Sequence, residues 1–137
     1  MVFRKILVYL GLITLPHLSW ANDVHEYHLK NGLSLLVKED HRAPVVIAEI
    51  WYKVGSSYEP RGITGISHAL EHMMFRGTEK FAPGELEKKV AVNGGEQNAF
   101  TDSDFIEKKQ KFSADKLAIS FELEADRMRN LLLRSQD

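Results

Sequence analysis

Two histidines and a glutamate lie close together in the segment His68-Ala69-Leu70-Glu71-His72. Residues three or four apart on a helix project from the same face, so His68 and His72 can direct two imidazoles towards one point beside the Glu71 carboxylate. Neutral imidazoles are good zinc ligands, and a carboxylate beside a metal can take a proton from an attacking water molecule. A catalytic zinc usually has three protein ligands, so this segment offers two of them.

The same residues also have a simpler interpretation. Two histidines and a glutamate on a helix can form a hydrated polar stripe, or a histidine pair that is salt-bridged to the carboxylate. The surrounding pattern favours the metal site, because the motif falls on a predicted helix that follows a long strand and a glycine-containing loop. The chain has no cysteine, so any metal must be bound by histidine and carboxylate side chains.

The rest of the pattern predicts the elements that position this helix. The predicted strands are His25–Lys30, Leu33–Lys38, Val45–Val54, Gln97–Thr101 and Phe105–Lys111. The predicted helices are one from Gly65 that stops at Gly77, one at Glu85–Val92 that stops at Asn93-Gly94-Gly95, and one behind Ser113. Their order predicts an α+β fold in which helices pack on one face of a mainly antiparallel sheet.

Three of these elements carry more detailed expectations. Asn31-Gly32 between two strands predicts a two-residue hairpin turn with positive φ at both positions. The β-branched and aromatic content of Val45–Val54 predicts a mostly buried strand. For the last helix we expect Ser113 as the N-cap. Its expected inward stripe consists of Leu117, Phe121, Met128 and Leu132.

The motif and its flanks resemble a known family of peptidases. The stretch from His68 to Thr78 resembles the active-site helix of the pitrilysin/insulinase family of zinc metallopeptidases, whose H-x-x-E-H order reverses the commoner zincin motif. Gly94–Thr101 with Asp104 resembles the second signature of that family, and Phe121–Met128 resembles its long third helix. The likeness runs from about His25 to the end of the chain.

The resemblance implies roles for individual residues. His68 and His72 would bind one Zn²⁺ ion and Glu71 would be the general base. Asn98 and Ala99 would lie on the edge strand to which a substrate peptide adds as an extra strand.

The family's third zinc ligand is not expected within this chain. That ligand is a glutamate farther along the chain than the 65 residues, 137 minus 72, that follow His72 here. We therefore expect the third ligand to be absent from these residues, and neither Glu122 nor Glu124 to replace it. Both carboxylates come too early and match the family's third helix.

One segment departs from the family pattern. Charged residues occupy much of Phe105–Phe112, where the family usually alternates threonine and aromatic residues, so we expect a less regular strand beside the site. Family members also use a second homologous half that closes over the substrate.

The leading hypothesis is therefore the first portion of a zinc metalloendopeptidase that acts on peptides or proteins. We expect it to be inactive without a second half or a partner chain. The alternative is a non-catalytic relative that binds peptides or acts as a scaffold, and the intact motif favours the peptidase. A simple periplasmic metal-binding protein that uses His68, His72 and the other histidines is a third, weaker hypothesis.

The first 21 residues differ from the rest of the chain. Arg4 and Lys5 precede the apolar run Ile6–Leu15, and small residues at Ser19 and Ala21 suit a signal peptidase. This pattern predicts a secretory signal at residues 1–21, with 22–137 as the N-terminal portion of a peptidase domain. A transmembrane anchor is the alternative, but the run is too short for a hydrocarbon core of about 30 Å, so no stable membrane span is expected.

Charge and cysteine content limit the partners and the compartment. The formal net charge of −1 gives no indication of a nucleic-acid partner. An exported chain without cysteine fits the bacterial periplasm or a secreted bacterial protein better than an extracellular eukaryotic domain.

Overall fold

The computed structural model describes residues 24–134, so the predicted signal peptide lies outside the described residues. The chain divides into two compact units, Met1–His41 and Arg42–Asp137. Antiparallel strands occur in both units and three α-helices in the second, which confirms the predicted α+β class. Between residues 24 and 134, no helix is long and apolar enough to cross a membrane.

The first unit contains an antiparallel hairpin of β1 (Val24–His28) and β2 (Ser34–Lys38). Gly32 has a φ of 88°, and its N–H donates to the carbonyl of Leu29 at 3.0 Å. Asn31 keeps a negative φ, and its side-chain oxygen accepts from the N–H of Leu33 at 3.2 Å. The predicted two-residue turn is therefore wrong, because this local bond favours a longer loop with only glycine in the left-handed region.

The second unit is built on a three-stranded antiparallel sheet. Its strands are β3 (Val45–Tyr52), β4 (Glu96–Thr101) and β5 (Ile106–Ser113), in the order β3-β5-β4. The charged strand β5 is thus the central one and pairs with both neighbours. The expectation of a less regular strand is wrong, because the residues of β5 alternate strictly between a buried and a more exposed face.

Strand β3 is only half-buried. Its residues alternate between exposed and intermediate positions, and the exposed ones include Val45, Ile47 and Trp51. On this outer face the Lys109 ammonium lies 2.8 Å from the Glu49 carboxylate. The prediction of a mostly buried strand is therefore wrong, because β-branched composition marks a strand but does not tell how many of its faces are covered.

Three helices cover the inner face of this sheet: α1 (Ile66–Met73), α2 (Glu85–Val92) and α3 (Leu117–Asn130). The prediction that the helices pack on one face is confirmed, because α2 and α3 form a core with the inner residues of the sheet and α1 bonds to the inner-face Thr101 at the end of β4. This core consists of Leu86, Val90, Phe112 and Leu123, with Val46, Phe81 and Ile119 packed around it.

The buried face of helix α3 differs from the predicted one. Phe121 and Met128 are 56% and 43% exposed. The buried residues are Ser120, Leu123, Glu124 and Arg127. Leu117 and Leu132 of the predicted stripe are half-buried, so the prediction is wrong at Phe121 and Met128. Polar partners contribute to this rotation of the helix; the Ser120 hydroxyl, for example, donates to the buried amide oxygen of Gln110 on β5 at 2.7 Å.

The start of α3 also differs from the prediction. A short 3₁₀ turn, Ala114–Lys116, precedes the helix. Ser113 flanks this turn without a capping side-chain hydrogen bond, and its hydroxyl interacts with Asp115 instead, which lowers the pKa of that carboxyl. Ser113 occupies the N-cap position of this turn, whereas the N-cap position of α3 itself is Lys116. The predicted position is thus close to the start of the helix, but the predicted capping bond is absent.

Candidate metal centre

The motif histidines lie on the exposed side of α1. His68 and His72 are separated by one helical turn, and their ring centroids lie 4.7 Å apart with a tilt of 50°. Both side chains are exposed, whereas Glu71 between them is half-buried. Two adjacent imidazoles with free access from solvent fit two of the ligand positions of a zinc ion.

The Glu71 carboxylate is hydrogen-bonded to the sheet. The hydroxyl of Thr101, at the end of β4, donates a hydrogen bond to one of its oxygens. This bond orients the carboxylate and leaves its other oxygen available for proton transfer. Thr101 was not identified as a functional residue from the sequence, because this contact joins residues 30 positions apart.

The C-terminal end of α1 is held by helix α3. The Nε of Arg127 donates to the carbonyl of Met74, directly after α1, at 3.0 Å, and its guanidinium also pairs with Glu124. Both side chains of this ion pair are almost fully buried. A cation at the C-terminal end of a helix is favoured by the helix dipole, so Arg127 fixes α1 by charge as well as by a hydrogen bond.

A buried lysine lies beneath the same helix. The Lys108 ammonium, on the inner face of β5, is 3.4 Å from the ring centroid of Phe75. Burial lowers the pKa of Lys108 to about 7, and the charge of Arg127 acts in the same direction, while nearby carboxylates, Glu71 among them, oppose it. The sequence had indicated only that β5 is unusually charged; its period of two could have identified Lys108 as inward-facing.

The family model described as Insulinase (Peptidase family M16) matches residues 34–137. The chain belongs to this family. The resemblance inferred from the motif helix is thereby confirmed.

Several members of the insulinase family resemble the chain. Its alignment with the zinc protease PqqE of Helicobacter pylori shows 38% identity over 110 residues. The aligned region covers 80% of this chain and 25% of that protein. The chain is 32% identical over 85 residues to a probable mitochondrial-processing peptidase subunit beta of Arabidopsis thaliana, and the aligned region covers 62% of this chain and 16% of that protein. The crystal structure of a protease from Helicobacter pylori superposes with a TM-score of 0.80 at 36% identity, over 84% of this chain and 28% of that one. The chain therefore spans about a quarter or less of the length of these relatives.

Glu122 and Glu124, the two carboxylates of α3 that were considered as replacement metal ligands, are engaged elsewhere. Glu122 accepts from the ammonium groups of Lys80 at 2.5 Å and Lys89 at 2.7 Å, and these bonds lower its pKa to about 2. Glu124 is buried against Arg127. Over residues 24–134, no three His, Cys, Asp or Glu side chains are arranged to hold a metal ion.

Strand β4 carries the residues expected to contact a substrate. It lies at an edge of the three-stranded sheet, and in the described part of the chain its only partner is β5. Asn98 is on the outer face of β4, while Ala99 is on the inner face with Thr101, towards the helices. The structure therefore places both residues on an edge strand beside α1, and their contact with substrate stays a prediction.

Proposed function

We propose that this chain contributes the metal-binding helix of a zinc-dependent metalloendopeptidase of the insulinase family. The observation that carries the proposal is the position of His68, Glu71 and His72 on one helix, with Glu71 bonded to the end of an edge strand. A hydrated polar stripe would not require a part-buried hydrogen bond from Thr101 that orients the central carboxylate.

In this proposal each residue has a defined task. His68 and His72 bind the zinc ion, which would supply Lewis-acid polarisation of the scissile carbonyl. Glu71 takes the proton from the attacking water molecule and later gives it to the leaving amine. Thr101 keeps one oxygen of Glu71 occupied, so that the other oxygen performs the transfer.

The proposed substrate is a peptide or protein segment in an extended conformation. An edge strand offers unpaired main-chain N–H and C=O groups, which bind a peptide without much demand on its sequence. Asn98 and Ala99 lie in the part of β4 where such a peptide would pair. The peptide would then run past the end of β4, where Thr101 contacts Glu71.

The first experiment tests metal binding. We expect the chain from residue 22 onward to bind zinc, and both His68→Ala and His72→Ala to abolish binding in calorimetric titrations, because each variant leaves one imidazole. His25→Ala, in the hairpin unit, is the matched control and should bind like the parent. Unchanged zinc affinity in both motif variants would exclude α1 as the metal site.

A second expectation concerns activity. We expect the 137-residue chain alone not to hydrolyse an unstructured quenched peptide, because its motif helix supplies two ligands and a catalytic zinc usually has three. A chimera in which residues 24–134 replace the aligned part of the zinc protease PqqE should hydrolyse it, because the remaining three quarters of that zinc protease are then present. Chelator-sensitive cleavage by the chain alone would contradict this expectation and would make Glu122 and Glu124 the first residues to test.

The proposed setting is the bacterial periplasm or the exterior of the cell. Residues 1–21 have the composition of a secretory signal, and cleavage after Ala21 would leave residues 22–137. N-terminal sequencing of the protein recovered from a bacterial periplasmic extract would test this part of the proposal.

A further inference from the structure

The beginning of the motif helix is bound by a carboxylate from the preceding loop. One oxygen of Glu59 accepts from the N–H of Gly65 at 2.8 Å, and the other accepts from the N–H of Ser67 at 2.9 Å. These two backbone hydrogen bonds lower the pKa of Glu59 below its ordinary value. The second of these N–H groups belongs to Ser67, the residue directly before His68.

Helix α1 has no local residue that could do the same. Its N-cap position is occupied by Gly65, which has a φ of 93° and no side chain, and its first turn contains no acidic residue. The first N–H groups of a helix lack partners within the helix and need an outside acceptor. Glu59, six and eight residues earlier in the chain, supplies this acceptor for two of them.

The segment before Glu59 is itself attached to the sheet. The N–H groups of Ser56 and Ser57 donate to the carbonyls of Asp102 and Ser103, at 3.3 and 2.8 Å. The approach is so close that a Cβ atom on Gly55 would lie 2.3 Å from the Ser103 carbonyl oxygen, which only glycine tolerates. The loop is therefore fixed on the connection between β4 and β5.

These contacts form a closed path around the site. The β4–β5 connection begins directly after Thr101, which binds Glu71 in the middle of α1. It also holds the loop that carries Glu59, and Glu59 binds the start of α1. The helix is thus attached to one end of β4 at two points, which fixes its rotation and its position along its axis.

We propose that Glu59 is a positioning residue for the metal-binding helix, and that it sets the direction in which His68 and Glu71 point by holding the backbone N–H groups of Gly65 and Ser67. This inference rests on the proposed function, because its consequence is the geometry of the zinc ligands. In this proposal Glu59 acts through the backbone N–H groups at the start of the helix and is not itself a metal ligand.

The test uses the variant Glu59→Gln in the chain from residue 22 onward. The amide keeps one acceptor oxygen but replaces the other with an NH₂ donor, so one of the two backbone bonds is lost. We expect zinc affinity to fall about tenfold, at the lower end of the effect of residues that orient metal ligands. Glu59→Asp, which retains both acceptor oxygens on a shorter side chain, should recover part of that affinity.

Glu85→Gln is the matched control. The Glu85 carboxylate, at the first residue of α2, accepts from the N–H of Ala82 in the preceding loop at 2.7 Å, so Glu85→Gln also alters a bond between a carboxylate and a backbone N–H at the start of a helix, but of one without the motif. We expect this variant to bind zinc like the parent chain. Equal losses of affinity in Glu59→Gln and Glu85→Gln would overturn the proposal, and so would parental affinity in Glu59→Gln.

Hydrogen exchange separates this inference from the proposed function. In Glu59→Gln at least one of the amides of Gly65 and Ser67 should exchange faster than in the parent, with or without zinc, while the amides of α2 remain unchanged. If the parent chain does not bind zinc, the proposed function fails, and this exchange measurement still decides whether Glu59 holds the helix. Unchanged exchange at both amides would overturn the positioning role.

Discussion

Glu71→Gln is expected to lower peptide hydrolysis by about 10²–10⁴-fold while zinc remains bound. The glutamine side chain has nearly the same shape, and its amide oxygen can still accept the hydrogen bond from Thr101, so the position of the side chain should be retained. It cannot take a proton from water at neutral pH. The loss should therefore appear in kcat, whereas the zinc content and KM should change little.

The measurement uses the chimera with the zinc protease PqqE, in which residues 24–134 carry the substitution. Glu79→Gln is the matched control, because Glu79 is an exposed carboxylate a few residues after α1. Near-parental turnover in Glu71→Gln would remove this residue from the mechanism. Loss of zinc together with activity would instead indicate that Glu71 binds the metal or supports the fold.

Local sequence signals predicted those elements whose boundaries depend on neighbouring residues. The helix Glu85–Val92 was predicted with the limits that the structure shows, because the glycines of Asn93-Gly94-Gly95 end it. The motif helix also lies where the pattern placed it, between Gly65 and the left-handed Gly77. Such signals need no knowledge of the rest of the chain, so one sequence suffices to find them.

Contacts between distant residues could not be predicted in the same way. The bond from Thr101 to Glu71 spans 30 positions and that from Arg127 to Met74 spans 53. Both depend on how helices sit on the sheet, which periodicity does not specify. For the same reason the stripe of Phe121 and Met128 was a reasonable prediction from hydrophobicity and is nevertheless exposed.

The buried face of α3 shows why hydrophobic spacing failed there. Ser120, Leu123, Glu124 and Arg127 follow the spacing of a buried helical stripe, but only one of them is apolar. Their burial is tolerated because Ser120 bonds to Gln110 while Arg127 bonds to Glu124 and to the end of α1. Helix α3 therefore buries polar side chains in place of an apolar stripe, and one of them, Arg127, bonds to the end of α1.

Arg127→Met is expected to lower the free energy of unfolding by about 3–5 kcal/mol, the usual cost of removing one partner of a buried ion pair. The methionine side chain fills much of the same space, so the loss comes from charge and hydrogen bonding. Glu124 would remain buried without its cation, and the carbonyl of Met74 would lose its donor. Urea unfolding of the chain from residue 22 onward, followed by circular dichroism, measures the change.

Two further variants make this stability prediction specific. Arg129→Met removes an exposed arginine two residues away on the same helix and should change stability by no more than about 0.5 kcal/mol. The double variant Glu124→Leu/Arg127→Met removes both charges and should recover part of the lost stability, because an apolar pair replaces the uncompensated carboxylate. If Arg127→Met does not fold, recovery of a cooperative transition in the double variant gives the same information. A loss in Arg127→Met no larger than that in Arg129→Met would mean that the buried pair does not hold α3 against the motif helix.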